Sequence, residues 1–246
     1  MTALTFFGAA LTAFGPALSL FVLTIAHDPV RIIVLILSAF FWLLSLLFSS
    51  LFWTAVYPLQ HVLAFGLVFS ILFQELFRFF LYLMLRKADR VMRKLTENEH
   101  TQIFSHPHIL AYVVGLGFGI MSGAFSLVNV LADSVGPGTV GFQGESQNFF
   151  MISASLGLAL ILCHTFWGVI TFVAFDDKKY HWVAAVWILH YLFSCLTLFN
   201  PSGWYVASVL PAYINLGVSG ALAFSCAGGS WSRLIQCLPR PSPTPA

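Results

Sequence analysis

Apolar residues in this chain come in long, nearly uninterrupted runs bounded by polar or turn residues, near 3–25, 30–53, 59–85, 109–132, 150–174, 182–199 and 204–227. An α-helix needs about 20 such residues to cross roughly 30 Å of hydrocarbon. In that medium every backbone N–H and C=O must be paired within the protein, and a single run meets this demand by becoming helical. The seven runs therefore predict an all-α, polytopic membrane domain over 1–232, followed by a Pro-rich tail at 233–246. Composition agrees, because only 8% of the 246 residues are charged, against ~25% in a soluble domain.

The amino terminus lacks the basic n-region of a cleaved signal peptide, and its apolar run is too long for an h-region, so it reads as a retained first span. The segment 54–58 ends at Pro58 and predicts a very short hairpin that makes spans two and three antiparallel neighbours. Pro16 and Pro211 fall inside spans one and seven, where proline removes a helical hydrogen bond and favours a kink.

Basic residues set the expected orientation. Arg31, Arg86, Lys87, Arg90, Arg93, Lys94, Lys178, Lys179, Arg233 and Arg240 all lie in connections one, three and five or in the tail. The connections on the opposite side hold none, and the remaining cation, Arg78, lies inside span three. Cytosolic loops carry the excess of Lys and Arg, so the amino terminus is expected in the lumen or outside the cell and the carboxyl terminus in the cytosol. A six-span chain would place basic clusters on both sides.

Ionisable groups inside a membrane are costly and call for a reason. Glu75 and Arg78 are three residues apart in span three, on one helical face, and can pair. One reading is a self-neutralising ion pair with Arg78 snorkelling towards the headgroups; another is that the pair also fixes a neighbouring helix. His164 and His190 are the histidines at mid-span positions in spans five and six. At ~1.5 Å per residue, His164, His190 and Glu75 lie roughly 15, 12 and 15 Å from the same membrane end, and so share one layer. Three roles compete: a hydrogen-bonded lock between helices, a proton or ion path, and a metal site. The metal role is weakest, because zinc requires further ligands.

Gly115, Gly119 and Gly123 recur at i, i+4 and i+8 in span four, with Ser122 and Ser126 nearby. Two tandem GxxxG steps form a groove in which a second backbone can approach closely. That second helix could belong to this chain or to a partner.

Several functions are excluded. The chain has no G-x-S-x-G and no H-E-x-x-H, and no intramembrane aspartate pair able to share a proton; Asp28, Asp89, Asp133, Asp176 and Asp177 fall at or beyond span ends. The connection Asp133–Asn148, with Gly136-Pro137-Gly138, is followed by no Gly-Lys-Ser/Thr, so it predicts a turn-rich loop and no phosphate cradle. Cys163, Cys195, Cys226 and Cys237 form no C-x-x-C. Pro201 blocks the sequon at Asn200. A net charge of +2 gives no reason to expect nucleic acid, and nothing in the chain asks for a cofactor.

Taken together, these residues resemble the Aph (anterior pharynx-defective) subunit of gamma-secretase. The matching segments are Phe6-Phe7-Gly8 with Ala13-Phe14-Gly15-Pro16, Asp28-Pro29-Val30-Arg31, Ala39-Phe40-Phe41-Trp42-Leu43, Gln74-Glu75 and Phe77-Arg78. They continue through Gly115 to Gly123, Leu131-Ala132-Asp133 with Gly136-Pro137-Gly138, His164-Thr165-Phe166-Trp167-Gly168, His190, and Ala227-Gly228-Gly229-Ser230. The tandem glycines are the most specific part. The tail after about Leu238 is unmatched, and the connection between spans two and three is shorter than in some members.

The resemblance implies a seven-span scaffold without proteolytic activity of its own. It would join nicastrin first, then presenilin and presenilin enhancer, in a complex that cleaves single-span proteins such as Notch and the amyloid precursor, with presenilin supplying the aspartates. Such a subunit resides in the endoplasmic reticulum, the Golgi, and plasma or endosomal membranes. Gly115, Gly119 and Gly123 carry over as assembly residues, and His164 and His190 as buried polar residues needed for association or integrity. Two other classes stay open on the residues alone. One is a seven-span metal-dependent hydrolase resembling the alkaline ceramidases, although 204–227 lacks the histidines such enzymes use. The other is a transporter or channel built on the Glu75, His164 and His190 layer, although no internal repeat supports it.

Overall fold

The structure is a computed structural model that describes residues 3–59, 62–95, 107–135, 149–230 and 232–233. Among these residues it contains seven long helices: α1 (Ala3–Thr24), α2 (Pro29–Ala55), α3 (Leu63–Leu95), α4 (Pro107–Val135), α5 (Phe149–Asp176), α6 (Tyr180–Leu196) and α7 (Tyr205–Cys226). All seven, α6 together with the turn that follows it to Asn200, are long and apolar enough to cross a membrane. The proline-rich tail from residue 234 and the loop at 136–148 lie outside the described residues.

Local chemistry fixes several helix ends. Asp28 caps α2, its carboxylate accepting from the backbone N–H of Val30 at 2.9 Å and of Arg31 at 3.4 Å, with Pro29 at the first helical position. Proline suits that position because its missing N–H is unpaired there in any case. Arg31 closes the same corner, pairing with Asp28 and donating to the carbonyl of Thr24 at the end of α1. Pro16 and Pro211 are accommodated within unbroken helical segments.

Two ends differ from the hydropathy pattern. Span three was expected over 59–85, but α3 begins at Leu63, after a 3-10 turn at Tyr57–Leu59, and continues to Leu95. The apolar run stops where the membrane would end, whereas the following Arg, Lys, Ala and Met residues are good helix formers and carry the helix onward. Span six, expected over 182–199, is α-helical only to Leu196 and then tightens into a 3-10 segment, Thr197–Ser202. Pro201 has no N–H to give the Thr197 carbonyl and its ring crowds that carbonyl, so the regular α pattern gives way in the turn before it.

The core is centred on α4 and α5, which make the most extensive interhelical contact. Around this pair, α1 packs on both α5 and α4, α2 on α4, α7 and α6 on α5, and α3 closes the arrangement against α2 and α6. The core contains Val113, Val114, Leu116, Phe118, Ala159, Ile161, Trp167 and Ile170. Outward faces such as Leu11 and Leu18 on α1, Ile33 and Phe40 on α2 and Ile188 on α6 remain exposed, as helices facing lipid require.

Candidate functional site

The short connection between α5 and α6 aligns the polar layer. Lys178 takes a left-handed backbone conformation with φ 58°, and the chain reverses between Asp176 and Tyr180. His164 and His190 then lie at similar depths on antiparallel helices. On α3, Arg86 pairs with Asp176 at the end of α5, and Tyr82 donates to the same carboxylate at 3.0 Å. That tie sets the depth of Glu75 and Arg78 opposite His164.

The result is one continuous polar chain across three helices. Arg78 Nη1 lies 2.7 Å from both carboxylate oxygens of Glu75. Its Nη2 donates to His164 Nδ1 at 2.7 Å, and His190 Nδ1 donates to Glu75 Oε1 at 2.8 Å. Since the guanidinium can only donate, His164 must accept through an unprotonated Nδ1, whereas His190 must carry its proton there. Nδ1 is thus an acceptor on His164 and a donor on His190. All four side chains are buried, with exposures of 3% for Glu75, 0% for Arg78, 1% for His164 and 2% for His190. Arg78 does not snorkel; its guanidinium turns inward, 5.2 Å from the centre of the Phe118 ring.

Aromatic rings wall the cluster. Trp167 lies 4.6 Å from His190 and 5.2 Å from His164, while the two imidazoles meet edge to face at 4.9 Å. Trp167 is itself held from α7. Its Nε1 donates to Ser219 Oγ at 2.9 Å, Ser219 donates to Asn215 Oδ1 at 3.0 Å, and Asn215 Nδ2 donates to the Leu189 carbonyl of α6 at 2.7 Å. A further bond, from Trp42 Nε1 to Gln74 Oε1 at 3.1 Å, joins α2 to α3 beside Glu75. The sequence pattern does not by itself single out Trp42, Trp167, Asn215 or Ser219 as site residues. The available signal was a polar residue or indole within an apolar run, where a partner is required on burial.

The glycines of α4 lie against α5 of the same chain. A Cβ at Gly115 would sit 2.5 Å from the Thr165 carbonyl oxygen and 2.8 Å from that of His164. At Gly119 it would strike the Ile161 carbonyl, and at Gly123 the Ile161 side chain at 2.5–2.6 Å. The contact is reciprocal, because a Cβ at Gly168 on α5 would come within 2.6 Å of the Gly115 Cα. Gly117 faces the other way, against Ser38 and Leu35 of α2. The residues that follow His164 are thus set by a glycine-to-glycine crossing.

Among the described residues no group of three or more His, Cys, Asp or Glu side chains is arranged to hold a metal ion. The cluster can do two things: it neutralises its own charges, and it ties α3, α5 and α6 together. Fold and cluster define an integral membrane bundle in which buried polar groups tie three helices together.

Comparison with known proteins agrees with that class. The family model described as "Aph-1 protein" matches residues 4–230. Gamma-secretase subunit Aph-1 of Drosophila melanogaster is 50% identical over 240 residues, covering 96% of this chain and 100% of the relative. Gamma-secretase subunit APH-1B of Homo sapiens is 45% identical over 247 residues, with 97% and 94% covered. Gamma-secretase subunit APH1-like of Arabidopsis thaliana is 30% identical over 244 residues, with 96% of each chain covered. The chain belongs to the Aph-1 family.

Proposed function

We propose that this protein is a non-catalytic assembly subunit of a gamma-secretase complex. The observation that carries the reading is the match to gamma-secretase subunits over nearly the whole of both chains, from insect to plant relatives. The internal use of the polar groups supports it. Glu75, Arg78, His164 and His190 bond to one another across three helices, with Arg78 Nε buried and without a partner; that cross-linking suits a rigid scaffold better than a hydrolytic centre or an ion path.

On this reading the partners are nicastrin, presenilin and presenilin enhancer, and presenilin supplies the catalytic aspartates. Gly115, Gly119 and Gly123 contribute to assembly indirectly, by fixing α4 on α5, and the four-residue cluster does so by fixing α3 and α6 around α5. The basic ends of the helices face the cytosol and the amino terminus faces the lumen. The protein travels with the complex through the endoplasmic reticulum and Golgi to plasma and endosomal membranes.

The test is purification of the tagged full chain from its own cells in mild detergent, with identification of co-purifying chains. Nicastrin-like and presenilin-like proteins in stoichiometric amounts are expected, and an Arg78→Met variant should lose them. A wild-type chain that purifies free of both would overturn the proposal.

A further inference from the structure

The helix α3 is much longer than a membrane crossing requires. Its 33 residues span roughly 50 Å, against ~30 Å of hydrocarbon. The surplus lies at the basic end. Leu81, Leu85 and Asp89 are buried against the bundle, and the Arg86–Asp176 pair anchors the helix at the end of α5. The extension is therefore held in a fixed direction.

Its outward face carries two kinds of side chain. Lys87, Arg90 and Lys94 recur at i, i+3 and i+7 and are exposed. Among the described residues neither Lys87 nor Lys94 takes part in an ion pair, and the nearby Asp176 and Asp177 are engaged by Arg86 and Lys179. On the same face Leu83, Met84 and Val91 are also exposed. Apolar side chains beside unpaired cations suit the boundary between acyl chains and headgroups, where each type finds its own medium. Lysine and arginine at that depth attract anionic lipid.

We propose that the Lys87, Arg90 and Lys94 face of α3 is a binding site for the phosphate groups of anionic lipids in the adjacent leaflet. Met84 lies against the first methylenes of the acyl chains. Arginine offers a planar fork to phosphate oxygens and the two lysines act as point charges.

The test reconstitutes the full chain, with its co-purifying subunits, in phosphatidylcholine nanodiscs containing a minor fraction of phosphatidylinositol bisphosphate. Lipids retained after mild detergent extraction are counted by native mass spectrometry. Wild type should retain the anionic lipid, and the K87Q/R90Q/K94Q variant should retain it at least about tenfold less. A K178Q/K179Q control, which removes charge from the same end of the bundle, should stay near wild type. Retention in the triple variant equal to wild type would overturn the proposal, and so would an equal loss in the control, which would indicate diffuse surface charge. Soluble inositol trisphosphate should compete poorly; full displacement at matched concentration would mean that the site reads the free headgroup and not the lipid. The three substituted side chains are exposed, and an unchanged thermal unfolding midpoint would verify that the variant folds.

Discussion

Along α4 and α5 the two backbones approach until glycine is the residue that fits, whereas between α3 and α5 long charged side chains cover the separation. At the first seam Gly115, Gly119 and Gly168 let carbonyls and Cα atoms touch. At the second, Arg78 reaches from α3 to His164 while Glu75 holds His190 on α6. Lipid tails give helices no hydrophobic reason to associate, so close packing and interhelical hydrogen bonds are the available forces. The bundle uses one at each seam, and the contrast shows why a mutation at either should fail in its own way.

The sharpest way to break the comparison is to unpair a buried charge. Arg78→Met alone, or Glu75→Leu alone, should destabilise the chain by about 3–5 kcal/mol, since the remaining charge stays buried without its counter-ion. The double variant should recover a large part of that loss. Thermal unfolding of the detergent-purified chain, analysed as a double-mutant cycle, measures this. Strictly additive single effects would mean that the seam is not held by ionic pairing.

The glycine seam should respond to size. Gly119→Ala places a methyl against a backbone carbonyl that cannot rotate away and should cost about 1–3 kcal/mol. Gly123→Ala meets only the flexible end of Ile161 and should cost less than half as much. Equal losses in the same unfolding assay would remove backbone contact as the reason for these glycines.

A smaller effect is expected where α7 supports the cluster. Ser219→Ala leaves the buried Trp167 N–H without its partner, at about 1–2 kcal/mol. Near-ultraviolet circular dichroism should also change as the indole loses its fixed orientation; an unchanged spectrum would indicate that Ser219 does not position the ring. The smallest effect belongs to Arg86→Gln. Its ion pair with Asp176 is partly exposed, so less than about 1 kcal/mol should be lost. A loss as large as that of Arg78→Met would erase the distinction between the buried seam and its exposed end.

Much of this architecture is legible in the residues. Seven apolar runs specify seven helices because span length and backbone pairing are local demands, which a single segment meets by itself. Glu75, Arg78, His164 and His190 stand out for the same reason: a polar side chain in an apolar run must have a partner. The helix α3 outruns the apolar span because hydropathy marks the hydrocarbon boundary, while helix propensity continues through Leu95. The break in α6 at Leu196 depends on Pro201, a signal that was present but outweighed by the apolar run around it.

The sequence by itself determined which segments cross the membrane, which side chains would need partners and which face of α4 was shaped for a close neighbour. Only the tertiary structure decided who those partners are. The groove at Gly115, Gly119 and Gly123 is filled by α5 of the same chain, with Gly168 completing the crossing. Arg78 turns inward to His164, and Trp167 is held from α7 through Ser219. Spacing along one helix defines a face, but the identity of what meets that face depends on how all seven helices pack at once, because each backbone approach fixes the depth and rotation of the next.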